Sequence, residues 1–166
     1  MISSTGVREV YSDELTWLGC GDSKYSQHKG VDLVLTNPYG SIPGNLIGVP
    51  LLVCGFPDYH HLCETYTGAK LYPLSEWAGG RALFWYGNTE YRDVSISHMQ
   101  AEPEGWFPKS LTDELLSVYP STCVWDGFMG RGTTGLSCRQ KGIKFIGIDK
   151  NPDRVKMAKR YILEYR

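Results

Sequence analysis

The residues best suited to chemistry lie in one run, Cys123-Val-Trp-Asp126-Gly-Phe128-Met-Gly130-Arg-Gly132-Thr133-Thr134-Gly135. An apolar stretch ends in an acid, passes through closely spaced glycines and continues into a helical pattern. A turn of that kind aims the unpaired backbone N–H groups of a helix N-terminus at an open crevice. Gly130 and Gly132 let a ligand approach the main chain, and Asp126 offers a carboxylate at the strand end. Asp149 closes the next apolar run and is the natural acceptor for a ribose diol. The plainer alternative is a tight turn with structural glycines. Read literally, the run is also G-x-G-x-x-G with an acid 17 residues after Gly132, which suits a nicotinamide dinucleotide. Two features oppose that reading. A dinucleotide fold needs several strands beyond this motif, whereas this sequence runs 17 residues past Asp149. Asp126 would also repel a pyrophosphate, and it better matches a cation such as the ammonium and sulfonium of S-adenosylmethionine.

A second run, Thr36-Asn37-Pro38-Tyr39-Gly40, follows the apolar segment Val31–Thr36 and so belongs to the same strand-end crevice. The Asn37 amide and a carbonyl fixed by Pro38 can accept both hydrogens of an exocyclic amino group, and Tyr39 can stack on the base that carries it. Such groups lie inside a duplex, so the base would have to be flipped out. N-P-Y-G is equally good β-turn chemistry.

The elements that must position these residues follow from periodicity. Strands are expected at Leu15–Leu18, Val31–Thr36, Pro50–Phe56, Lys70–Trp77, Arg81–Gly87, Thr122–Trp125 and Lys144–Ile148. Lys70–Trp77 and Arg81–Gly87 flank Ala78-Gly79-Gly80 and read as a hairpin. Helices are expected at Asp58–Tyr66, Pro108–Tyr119, Thr133–Lys141 and Pro152–Tyr165, the second and last with apolar stripes at helical spacing. Strands alternating with helices indicate an α/β fold with a mainly parallel sheet and an antiparallel edge.

Together the two runs resemble the DNA amino-methyltransferases whose motifs occur in permuted order, catalytic loop first and cofactor loop second (the β group). Gly21-Asp22 leading into GVDLVLTNPYG resembles that group's opening. Asp126-Gly-Phe-Met-Gly-Arg-Gly-Thr-Thr resembles its D-x-F-x-G-x-G-T-T loop, and FIGIDKNPDRVKMAKRYI the strand, acid and helix after it. The resemblance implies a Rossmann-like, circularly permuted methyltransferase sheet that binds S-adenosylmethionine. It assigns Asp126, Phe128, Gly130, Gly132 and Thr133 to the cofactor, Asp149 to its ribose and Asp22 to its adenine amino group. Asn37, Pro38 and Tyr39 would hold the target amine. Asn at the first catalytic position is more typical of adenine-N6 than of cytosine-N4 enzymes. The family loop has two prolines and this one has Pro38 alone, which motivates a second class: a binding or regulatory protein on a degenerate methyltransferase fold. An RNA acceptor is a third.

Composition bounds the rest. A chain of 166 residues, 42% hydrophobic and 21% charged, is expected to form one domain, 1–166, without a separate target-recognition module. No apolar run approaches the ~20 residues of a membrane-spanning helix. The N-terminus lacks an apolar signal core, so a cytoplasmic protein of a prokaryote or a phage-infected host is expected. Five cysteines without a C-x-x-C pair read as reduced thiols, and no metal site is expected. Residues 1–138 carry 8 Lys/Arg against 15 Asp/Glu, and residues 139–166 carry 9 against 3. Arg154, Lys156, Lys159 and Arg160 therefore form either a solvated helix face or an edge that meets nucleic-acid phosphates. The expected partner is DNA, as a duplex with a flipped base or single-stranded, and sequence readout would call for a homodimer or a recognition subunit.

Overall fold

The computed structural model describes residues 6–26, 28–36, 51–55, 70–74, 81–86 and 109–165, with the 51–86 segments described as backbone strands. The strands are β1 (Val7–Ser12), β2 (Thr16–Gly21), β3 (Leu33–Thr36), β4 (Leu51–Gly55), β5 (Lys70–Leu74), β6 (Arg81–Tyr86), β7 (Cys123–Asp126) and β8 (Lys144–Asp149). They form one sheet in the order β1-β2-β8-β7-β3-β4-β6-β5. Its centre, β2-β8-β7-β3-β4, is parallel. β1 joins one edge antiparallel to β2, and β6 and β5 extend the other edge as an antiparallel ribbon on β4. The expected hairpin is therefore present, and its second strand is the one that docks on the parallel core.

The central strands read as apolar runs because both their faces are covered. Every residue of β3 and β7 is buried. On one face Leu18, Leu33, Leu35, Val124 and Phe145 pack beneath three helices: α1 (Lys109–Val118), α2 (Thr133–Gln140) and α3 (Pro152–Glu164). α1 contributes Leu111, Leu115 and Leu116, and α3 contributes Val155, Ala158 and Ile162, as expected from spacing, whereas Tyr165, also expected on the last stripe, is exposed beyond the helix end. Asn151 caps α3 by accepting from the Asp153 N–H at 2.9 Å, and Pro152 occupies the first turn, where its missing N–H costs nothing. Gly135 lets α2 approach the sheet. A Cβ there would stand 2.5 Å from Phe145 Cε1 and 2.5 Å from Ile162 Cδ1.

On the opposite face Val34, Trp125 and Ile148 are also buried. The segment leaving β2 crosses it: Trp125 Nε1 donates to Ser26 Oγ at 3.2 Å, and the His28 ring meets Trp17 edge-on at 4.2 Å. Asp32 then fixes the entry to β3 by accepting from the Thr122 N–H, the Thr122 hydroxyl and the Cys123 N–H.

Three expectations need correction or placement. β1 was not expected, because VREVYS sets Arg8 and Glu9 side by side and so breaks the period-2 alternation of a strand, and the pairing has a register irregularity between Glu9 and Tyr11. β2 continues through Gly21, three residues past the expected Leu18, because Gly19 lies in a tight niche between Trp17 and Val7. The expected helix 58–66 lies outside the described residues.

Candidate functional site

In a parallel core all carboxyl ends share one edge, so the residues ending β2, β8, β7 and β3 gather there. β7 ends in Asp126, only 5% exposed. Its Oδ1 accepts from the Thr36 hydroxyl at 2.7 Å and from the Phe128 N–H at 3.1 Å, and the Thr134 hydroxyl also bonds it. Burial pushes this carboxyl up to about 6, with a smaller push from the Asp149 charge. The three donors favour its ionised form and oppose the rise.

After Asp126 the chain makes a glycine turn fastened at several points. The Met129 N–H donates to the Ile148 carbonyl at 3.0 Å, and the Gly130 N–H donates to Asp149 Oδ2 at 3.1 Å. Asp149 Oδ1 accepts from the Asn151 N–H at 2.9 Å, so one carboxylate ties the glycine turn to the entry of α3. Gly132 precedes α2 at φ 90°, a left-handed conformation that favours glycine. A Cβ there would press on Ala158 and Ile162 of α3 at 3.0 Å. Thr133 is buried in the first turn of α2, and the Arg131 guanidinium lies 5.7 Å from the centre of the Tyr161 ring.

A cavity of about 140 Å³ opens beside this turn, lined by Ser23, Gly127, Phe128, Asp149, Lys150 and Arg154. Of the residues singled out from sequence, Phe128 and Asp149 line it, and Asp126 and Gly130 belong to the turn that frames it. Asp22 stands beside the cavity and is not among its lining residues. It caps a single 3-10 turn, Ser23–Tyr25, by accepting from the Lys24 N–H at 3.1 Å. Its Oδ2 faces Lys150 Nζ at 3.4 Å and Lys24 Nζ at 3.5 Å. Partial burial works against ionisation of Asp22, but the Lys24 amide and the Lys150 charge outweigh it and lower its pKa. Asn37, Pro38 and Tyr39 lie outside the described residues. The residue before them, Thr36, ends β3 against Asp126.

Sequence reasoning missed Ser23, Lys150 and Arg154 as cavity residues, and Thr36 as the partner of Asp126. Ser23 and Thr36 each adjoin a residue that was singled out, Asp22 and Asn37, and adjacency was the available signal.

The basic residues of α3 divide. Arg154 lines the cavity, Lys159 Nζ lies 5.1 Å from the centre of the Tyr11 ring, and Arg160 pairs with Glu164 at 3.7 Å. Lys156 is exposed. Cys20, Cys123 and Cys138 are free thiols. Among the described residues no helix is long and apolar enough to cross a membrane, and no group of His, Cys, Asp and Glu could hold a metal ion.

With the geometry in place, comparison with known proteins points one way. A family model described as DNA methylase, N6_N4_Mtase, matches residues 87–160. The type II methyltransferase M2.LlaDCHI of Lactococcus lactis subsp. cremoris is 31% identical over 80 residues, 43% of this chain and 30% of that protein. M.XycI of Xanthomonas campestris pv. cyanopsidis, also a type II methyltransferase, is 24% identical over 200 aligned positions that cover 92% of this chain and 66% of the relative. The chain thus spans less than two thirds of the length of these relatives. Among solved structures, the M1.HpyAVI–SAM complex superposes with a TM-score of 0.64 at 17% identity, covering 88% of this chain and 99% of that one. The PvuII DNA methyltransferase (cytosine-N4-specific) gives 0.65 at 13% identity, covering 97% and 91%.

The chain therefore shares the mixed, mostly parallel α/β sheet of these two methyltransferase structures. The sequence resemblance to the DNA amino-methyltransferases is borne out by the family model and the type II relatives.

Proposed function

We propose that this chain is an S-adenosylmethionine-dependent DNA methyltransferase that transfers the methyl group to the exocyclic N6 amine of adenine. The observation that carries this reading is the 2.7 Å bond from Thr36 to Asp126. It fastens Thr36, the last residue of β3 and the one before Asn37 in the sequence, to the acid of the glycine turn, which supports reading the two runs as parts of one site.

The residues fit the cofactor that the fold implies. Asp149 and Phe128 line the cavity, Asp149 suited to a ribose diol and Phe128 to an apolar contact. Asp126 is a buried acid whose ionised form is stabilised by a neighbouring cation. Asp22, Gly130, Gly132 and Thr133 complete the set assigned by resemblance. When bound, the cofactor supplies an electrophilic methyl on a sulfonium. The chain's part is to orient: Asn37 and the Pro38 carbonyl accept the amine hydrogens, Tyr39 stacks on the flipped base, and no strong base is required. The Asn at position 37 favours adenine N6 over cytosine N4. The substrate is DNA, duplex with a flipped base or single-stranded, read with the help of a second copy or a recognition subunit, in a bacterial or phage-infected cytoplasm.

The single Pro38 favours a second reading, a methyltransferase-fold binding protein without catalysis. One assay separates the readings. Labelled S-adenosylmethionine is incubated with duplex DNA, single-stranded DNA and RNA, and the modified nucleoside is identified by chromatography. N6-methyladenine in DNA, lost in Asn37→Ala, is the expected result. N4-methylcytosine or labelled RNA would replace the acceptor. No transfer by wild type, with cofactor binding intact, would leave the binding protein.

A further inference from the structure

Three cations gather where β2 and β8 end. Lys24 follows β2, Lys150 follows β8 and Arg154 stands in the first turn of α3, so all three lie at the carboxyl edge that also holds Thr36 and Asp126. The Lys24 and Lys150 ammonium groups lie 3.5 Å and 3.4 Å from the same Asp22 oxygen, which brings them close enough together to share one phosphate. Lys150 and Arg154 line the cavity side by side with Asp149, and this joins the three cations into one rim.

The charge that this rim shows to solvent is positive. The Lys24 and Lys150 side chains are 51% and 70% exposed, against 28% for Asp22. Asp149 is buried, and its oxygens already accept the Gly130 and Asn151 amides. Asp153 is exposed next to Arg154 in sequence but projects about 100° round the helix from it. Arg154 has no ion-pair partner among the described residues. Ion pairs in contact with solvent are weak, so both lysines can turn to a polyanion. Lys24 is also held in place, with its ammonium 4.8 Å from the centre of the Tyr25 ring, which reduces the freedom lost on binding. Farther along α3, Lys159 lies against Tyr11 and Arg160 pairs with Glu164.

We propose that Lys24, Lys150 and Arg154 form a phosphate-contacting rim on which the backbone of the DNA rests beside the site. The assignment depends on DNA being the substrate and deepens that reading. Phosphate contacts anchor and orient a nucleic acid without carrying sequence information, so the rim holds every sequence alike.

The test is DNA binding by the full chain, without cofactor, across a range of salt concentrations and on two duplexes of unrelated sequence. Lys24→Gln/Lys150→Gln and, separately, Arg154→Gln should each lower the salt slope by about one unit, equally on both duplexes. Arg154→Lys, which keeps the charge, should retain the wild-type slope. Lys141→Gln, exposed at the far end of α2, should leave it unchanged. Unaltered slopes in the rim variants would overturn the inference, as would an equal fall in Lys141→Gln or a loss confined to one duplex. Failure of the wild type to bind DNA at all would instead bring down the reading of the substrate, and this inference with it.

Discussion

The two sides of the candidate site are built differently. Where β7 and β8 end, the carboxylates are spoken for by backbone amides and a buried hydroxyl: Asp149 by Gly130 and Asn151, Asp126 by Phe128 and Thr36. Where β2 ends, Asp22 accepts one backbone N–H, from Lys24, and otherwise faces two exposed lysine ammonium groups, and the neighbouring Ser23 hydroxyl has no hydrogen-bond partner among the described residues. The first side is set in shape by the fold itself. The second rests on a single 3-10 turn and on side chains that reach it from the surface. Preorganised donors cost no rearrangement at the moment of reaction, whereas groups left open contribute selectivity by what they will bond.

That contrast can be broken from its strong side first. Asp149→Ala frees two backbone amides from a charged acceptor and should lower stability by about 3 kcal/mol, read by urea unfolding. A change below the error of the extrapolation would mean that the fold does not depend on this tether. Thr36→Val removes one donor from a buried acid without altering shape and should cost about 2 kcal/mol near neutral pH, with Thr36→Ser recovering most of it. Equal losses in both variants would point to packing of the threonine methyl instead.

pH offers a further handle. Burial raises the Asp126 carboxyl from 3.8 to about 6, so the folded state holds its proton more tightly than the unfolded chain does. Its contribution to stability is full below about pH 3.8 and is lost as pH rises through about 6. Asp13 at the β1–β2 turn runs the other way. Its own burial would raise it, but the Tyr11 hydroxyl, the Leu15 and Thr16 amides and Arg139 hold it down at about 2. Its contribution is therefore present above pH 3.8 and fades as pH falls toward 2. Thr36→Val should extend the Asp126 decline to higher pH and leave the acid limb of Asp13 untouched. In binding, ionised Asp126 favours the sulfonium, so affinity for S-adenosylmethionine relative to the uncharged-sulfur product should climb between pH 5 and 7. A flat ratio would place Asp126 out of reach of the donor's charge.

The smallest effect belongs to the basic helix. Charge reversal at Lys156, which is exposed on α3, should reduce the salt slope of DNA binding by about one unit if it meets a phosphate. An unchanged slope leaves it solvated.

What could be read from the sequence was local. β7, α2, β8 and α3 fall within one or two residues of the expected bounds, because apolar runs, the Gly132 turn, Gly142 and the Asn151-Pro152 start are signals carried by neighbouring residues. β1 escaped because an edge strand facing water needs no apolar run. Thr36 and Asp126 are 90 residues apart, and so are Asp32 and Thr122. Such pairs follow from strand order, which periodicity does not encode. Ser23 escaped for a further reason: nothing about a serine's type shows that the fold will bury it.

Strand order also has a consequence in time. β2 and β3 come early in the chain, but both find parallel partners, β8 and β7, near its other end. During synthesis the early strands must wait, with their inward edges open, until residue 149 is available, and long-range parallel pairing is slow even then. The crevice is among the last features to take shape on a ribosome-borne chain. Conditions that slow elongation through residues 37–122 would therefore lengthen the interval in which this protein is most prone to aggregate.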